Sequence, residues 1–72
     1  MSFQAYLDNI QAKTGKSPDD LRALATEKGF LVQGRIAEGV KATQITDWLK
    51  ADLGLGHGHA MAVYALFKGK TV

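Results

Sequence analysis

The residues whose types and spacing are best suited to bind a ligand lie at 53–60. There the sequence LGLGHGHA places three glycines and two histidines between two segments of helical pattern. A turn of this kind leaves the first backbone amides of the second helix without intrahelical acceptors, at the positive end of the helix dipole. Such amides suit a phosphate or another anion. The candidate contacts for an anion or a partner are Gly54, Gly56, His57, Gly58, His59 and Lys68. The alternative is that Gly54 and Gly56 only permit a tight hairpin with positive φ.

The two histidines also raise the question of a metal site. His57 and His59 are two residues apart, so on a helix their side chains point to different sides, and the third ligand nearest in sequence is Asp52. We therefore expect no native metal site. We expect His57 to cap the helix that follows, and His59 either to pack or to be solvated.

The acidic and hydroxyl side chains do not form a catalytic pattern. Asp19 and Asp20 are explained as first-turn residues of a helix, and Asp47 and Asp52 as members of a solvated helix face. Ser2 and Ser17 are expected to be helix N-caps, and neither has a histidine beside it in sequence that could activate it. We expect a non-enzymatic protein without a cofactor.

Composition indicates a single small domain over residues 1–72 with little net charge. The formal charge is +2, from nine Lys and Arg against seven Asp and Glu, which supports weak polyanion binding at most. The sequence has no cysteine, which is compatible with a reducing compartment. The start MSFQAYLDN lacks the basic and apolar regions of an export signal, and no stretch approaches the roughly 18 apolar residues of a membrane span. We expect a cytoplasmic protein that is not embedded in a membrane.

The first half of the chain predicts two helices joined by a very short link. The first runs from about Ser2 to Thr14, and its apolar residues repeat at the spacing of one helical face: Phe3, Tyr6, Leu7 and Ile10. The second has Ser17 as N-cap and Pro18 at its first position, and it ends at Lys28 before Gly29. Its buried stripe consists of Leu21, Leu24 and Ala25. The link forces an abrupt change of direction, which predicts a helical hairpin or corner.

The stretch from Phe30 to Ala42 is predicted to be a loop. Its apolar residues resemble a strand, but the glycines interrupt a regular element and a lone strand would have no partner elsewhere in the chain. A short helical turn at residues 36–38 is the alternative.

The last part of the chain predicts two further helices around the glycine turn. The third begins near Thr43 as N-cap and buries four residues, Ile45, Trp48, Leu49 and Leu53, with Trp48 anchoring the core. The fourth runs from about Gly58 to Lys68 and is apolar on nearly every side, before a tail at 69–72. It is therefore either the central helix or leaves a face for a partner, with Met61, Tyr64 and Ala65 as the candidate interface.

The glycine turn resembles the hairpin of helix-hairpin-helix DNA-binding modules. The pattern hydrophobic-Gly-hydrophobic-Gly-x-x-x-Ala-x-x-hydrophobic is matched from Leu53 to Val63, and the resemblance covers about Ile45 to Phe67. It implies that the glycines let the backbone approach nucleic acid and that amides at the second helix hold a phosphate without reading sequence. The sequence departs from that pattern at 57–59, where His-Gly-His replaces the more usual Lys, Arg or Thr.

Almost the whole chain also resembles an uncharacterised family of small bacterial proteins, known as a domain of unknown function. The resemblance is carried by SFQAYLDNIQAKTGKSPDDLRALA and ITDWLKADLGLGHGHAMAVYALFK, whereas residues 30–40 depart from it. It implies a compact all-helical domain and brings no activity, substrate or catalytic residue.

We therefore expect an all-α four-helix bundle of two helical hairpins that acts as a binding module. Our first hypothesis is protein-protein interaction or self-association through helix four and the turn. The second is weak, sequence-independent nucleic-acid binding through the glycine turn.

Overall fold

In the computed structural model, which describes residues 3–69, four helices and a short β-hairpin follow one another along the chain. The elements are α1 (Phe3–Thr14), α2 (Pro18–Glu27), β1 (Leu31–Val32), β2 (Arg35–Ile36), α3 (Ala42–Leu53) and α4 (His57–Phe67). The predicted all-α bundle is confirmed. The predicted N-cap Ser2 and the tail residues 70–72 lie outside the described residues.

Helix α2 begins where the sequence predicts, because local side chains bond its first amides. The Ser17 hydroxyl accepts from the Asp20 amide at 3.2 Å, and the Asp20 carboxylate accepts from the Ser17 amide at 3.0 Å. This reciprocal capping box, with Pro18 at the first helical position, fixes the start of the helix. The hydrogen bond from the Ser17 amide is also the main reason why the pKa of the Asp20 carboxyl lies below its ordinary value.

The prediction of a loop from Phe30 to Ala42 is wrong for its first half. Strands β1 and β2 pair with each other in antiparallel register, Leu31 opposite Ile36 and Val32 opposite Arg35. The two residues between them, Gln33 and Gly34, have φ of 53° and 77°. Positive φ at both central positions is the backbone of the type I′ turns that close two-residue hairpins. The partner strand, thought to be missing, is therefore the next segment of the same stretch.

The starts of α3 and α4 differ from prediction by two residues and by one residue, respectively. Helix α3 begins at Ala42 with Lys41 as N-cap, instead of beginning after Thr43, because the Gln44 side chain accepts from the Lys41 amide at 2.7 Å. Helix α4 begins at His57, one residue before the predicted Gly58.

Helix α4 is central to the fold and contacts each of the other three helices. Its closest partner is α3, with which it forms the predicted hairpin around the glycine turn, whereas α1 and α2 each pack against it. One core draws on all four helices and β1, and its buried members are Ile10, Leu21, Ala25, Leu31, Ile45, Trp48, Leu49, Leu55, Ala60, Val63 and Phe67. The predicted role of Trp48 as a core anchor is confirmed, since it belongs to this buried set. Its ring also packs against the Phe30 ring, with the two centroids 5.5 Å apart.

No helix within residues 3–69 has the length and apolar character needed to cross a membrane.

Candidate functional site

The glycine turn that joins α3 to α4 is a compact hairpin. Gly54 adopts the left-handed conformation, with φ 66° and ψ 24°, and its amide donates to the Lys50 carbonyl at 3.1 Å. The Leu55 amide donates to the Leu49 carbonyl at 3.4 Å, and the Leu55 side chain is buried. The bond from the Gly54 amide to the carbonyl four residues earlier is that of an αL C-cap, which ends α3, and the buried Leu55 side chain then turns the chain into the core.

The second glycine of the turn has a different role. Gly56 is the N-cap of α4, with φ −73° and ψ 170°, a conformation open to any residue, and its carbonyl accepts from the Ala60 amide at 2.9 Å. The prediction that His57 caps α4 is therefore wrong, because His57 is the first helical residue and no side chain caps the helix. A side chain at Gly56 would meet nothing within 4 Å, so packing does not require glycine there either.

The first three amides of α4 have no partner within the helix, and two of the three residues that carry them are exposed. Residues 57–59 precede the first amide that bonds back into the helix, so their N–H groups have no acceptor within it. His57 and Gly58 are exposed, whereas the His59 ring packs nearly perpendicular to the Tyr6 ring, with centroids 5.2 Å apart. Of the two alternatives for His59, packing is therefore the one observed. Within residues 3–69, no group of three His, Asp or Glu side chains is placed to hold a metal ion.

Asp52, the carboxylate nearest to the turn in sequence, has a cationic partner, whereas Lys68 lies far from the turn. Asp52, which precedes the turn, pairs with Lys28 at 3.5 Å, and both side chains are about half-exposed. Lys68 follows the last residue of α4, so a helix of eleven residues, roughly 16 Å long, separates it from His57. The structure thus brings together the predicted contacts at residues 54–59 and leaves Lys68 at the opposite end.

A second candidate surface lies where the exposed side of α4 meets the start of α1. We call it the α1/α4 face, a shallow depression of about 460 Å³ lined by Phe3, Tyr6, His57, Gly58, Met61, Ala62 and Ala65. Met61 is 40% exposed, and Val32 in β1 is the other large apolar side chain that is exposed in the described part of the chain. Of the residues that the structure describes, no Asp, Glu, Lys or Arg lines the depression.

Comparison with protein families identifies the domain to which these surfaces belong. The family model described as a domain of unknown function, DUF4287, matches residues 2–69. The chain belongs to the DUF4287 family. The predicted membership of an uncharacterised family is thereby confirmed, and the matched region of this DUF4287 domain contains both the glycine turn and the α1/α4 face. The searches of curated proteins and of solved structures each give no match.

The predicted interface of this DUF4287 domain divides between two sides of α4. Met61 and Ala65 line the α1/α4 face, but Tyr64 packs against the core and carries the Lys68 ammonium 5.5 Å from its ring centre. Phe3 and Tyr6 join the face although they were assigned to the buried side of α1. In α1 only the aliphatic residues Leu7 and Ile10 are buried. The change from aromatic residues at the start of the helix to aliphatic residues after them is the sequence signal that could have separated the exposed part of this side from the buried part.

Proposed function

We propose that this domain is a non-enzymatic interaction module that self-associates through the α1/α4 face. The observation that carries the proposal is the exposed Met61, which stands in an uncharged depression beside small residues of its own helix. Exposed apolar surface of this kind is stabilised when a second apolar surface covers it. The cysteine-free composition is compatible with a reducing compartment, and the cytoplasm is the location we propose.

A second copy of the chain suits this face for three reasons. Among residues 3–69 the lining has no Asp, Glu, Lys or Arg, so two copies bring no like-charged pair of these described side chains together. Ala65, one turn after Met61 along α4, is a small residue beside which the Met61 side chain of the partner can pack, whereas the space over Gly58 is filled by the Tyr6 ring. A two-fold axis perpendicular to α4 would make the two α4 helices antiparallel, which brings the positive end of one dipole near the negative end of the other.

The direct test is the concentration dependence of mass in sedimentation or light scattering, from micromolar to millimolar protein. We expect wild type to shift from monomer towards dimer, because a small apolar face gives weak association. We expect Met61→Glu to weaken association more than tenfold, since each dimer loses two buried methionines and gains two facing carboxylates.

Val32→Glu is the matched control, because it places the same charge at the other exposed apolar side chain, outside the α1/α4 face. We expect it to associate as wild type does. Circular dichroism confirms that both variants are folded. A wild type that stays monomeric at millimolar concentration, or an equal loss in both variants, would contradict self-association through this face.

The glycine turn supports a second candidate function, weak binding of nucleic-acid phosphate. What favours it is that neither φ nor packing requires Gly56, while the amides of residues 57–59 lack acceptors within α4. The absence of a Cβ at Gly54, Gly56 and Gly58 lets a phosphate approach those amides.

We test the second candidate by titrating duplex and single-stranded DNA at low and moderate salt and following backbone amide shifts. We expect shifts at Gly56 and Gly58 that diminish as salt rises. Gly56→Ser should reduce them, because the serine oxygen would accept from the amides that a phosphate needs. Lys68→Gln, at the other end of α4, is the control and should leave them unchanged. The absence of shifts at low salt would exclude the idea.

A further inference from the structure

A cleft at the opposite end of α4 from the glycine turn combines a cationic rim with an apolar floor. It lies between the β-hairpin and the residues that end α4, has a volume of about 560 Å³, and is lined by Gly34, Arg35, Ile36, Phe67, Lys68 and Gly69. Its volume falls in the range of about 300–1,000 Å³ typical of small-molecule sites. The two sides of the cleft come from segments some thirty residues apart in sequence, so the fold alone assembles it.

The floor and the rim offer different chemistry to a ligand. Phe67 is buried and Ile36 half-buried, and together they provide an apolar base. Arg35 and Lys68 are exposed cations on the two opposing segments. The ion pairs formed within residues 3–69 join Arg22 to Asp19 and Lys28 to Asp52, so neither rim cation is neutralised by a carboxylate of the described chain.

The end of α4 adds less negative potential than a bare helix terminus would. The Lys68 amide donates to the Tyr64 carbonyl at 3.1 Å, and the Gly69 amide donates to the Leu66 carbonyl at 3.0 Å. These bonds satisfy carbonyls that would otherwise face an approaching anion. The Lys68 ammonium sits 5.5 Å from the ring centre of Tyr64, so an anion in the cleft would have to draw the ammonium from that ring towards Arg35.

We propose that this cleft binds a small organic anion, a carboxylate or phosphate monoester that carries an apolar group. The anionic head lies between Arg35 and Lys68, and the apolar group covers Ile36 and Phe67. Arginine suits such a head because its planar guanidinium forms two parallel hydrogen bonds to a carboxylate or phosphate. This site is separate from the α1/α4 face and does not depend on self-association.

The test uses the full chain and three eight-carbon probes, octanoate, octyl phosphate and octanol, with amide shifts as the readout. We expect octanoate or octyl phosphate to shift the amides of Gly34, Ile36 and Gly69 in a saturable way, and octanol to shift them weakly. The stronger of the two anions identifies the head group. Acetate, which lacks the apolar group, should also bind weakly, and added salt should weaken both eight-carbon anions.

Charge substitutions distinguish binding by the rim cations Arg35 and Lys68 from a general attraction of anions to the protein surface. We expect Arg35→Gln and Lys68→Gln each to weaken binding of the preferred anion about two- to fivefold, as for an exposed charge pair. Lys50→Gln, an exposed cation on α3, is the matched control and should have no effect. Equal shifts from octanol and octanoate, no saturable shift from either anion, or an equal loss with Lys50→Gln would overturn the proposal.

Discussion

Leu49→Ala is expected to lower the free energy of unfolding by about 2–5 kcal/mol, the range for truncating a buried leucine. Leu49 has 0% exposure and belongs to the face of α3 that packs within the core. The cost includes the lost burial of its methyl groups and the cavity left between helices that cannot fully collapse. A domain of this size buries little surface in total, so the midpoint of thermal unfolding should fall by more than about 10 °C.

The measurement is urea and thermal unfolding followed by far-ultraviolet circular dichroism. Leu53→Ala is the matched control, because it makes the same change on the same helix at a half-buried position. We expect Leu53→Ala to lower the free energy of unfolding clearly less than Leu49→Ala does. Equal costs for the two variants would mean that the buried face of α3 is not the one described.

Gly54→Ala is expected to lower the free energy of unfolding by about 1–2 kcal/mol, the cost of placing an L-residue with a Cβ in the left-handed region. Gly54 has φ 66°, and an added Cβ would meet nothing within 4 Å, so the cost comes from the backbone and not from a clash. Gly54→Asn should cost less, because asparagine tolerates this conformation better than alanine.

Gly56→Ser supplies the contrast two residues later. Its φ of −73° is accessible to any residue, and serine at an N-cap can accept from the first amides of α4. We expect the free energy of unfolding to stay the same or to rise by a few tenths of a kcal/mol. If Gly54→Ala were as harmless as Gly56→Ser, the left-handed ending of α3 would be incorrect.

The sequence predicts most of the helical structure because the decisive signals are local. At the start of α2, Ser17, Pro18 and Asp20 lie within four consecutive residues, so their interactions can be predicted without knowledge of the fold. The end of α3 at Gly54 follows from one residue type, since glycine adopts positive φ at little cost.

The β-hairpin was missed because its turn lacks the usual signal. Asparagine or aspartate before glycine predicts a two-residue hairpin, whereas here Gln33 takes the positive φ ahead of Gly34. With that turn unrecognised, Leu31 and Ile36 are assigned to a loop and not to paired strands.

Only the candidate site that consists of consecutive residues could be predicted from the sequence. The glycine turn is continuous in sequence, so its residues could be named in advance. The α1/α4 face pairs Tyr6 with Gly58, and the cleft pairs Arg35 with Lys68. Helical spacing shows which residues share a face of one helix, but it carries no information about which other segment packs beside that face.

The central position of α4 determines when this protein can fold during its synthesis. Helices α1, α2 and α3 all contact α4, and the ribosome makes all three before it reaches residues 57–67. A nascent chain that ends at α3 has made Leu21, Ile45 and Leu49 but lacks the helix that covers them. Stable folding is therefore expected only after α4 leaves the exit tunnel, and until then the exposed apolar residues are substrates for chaperones.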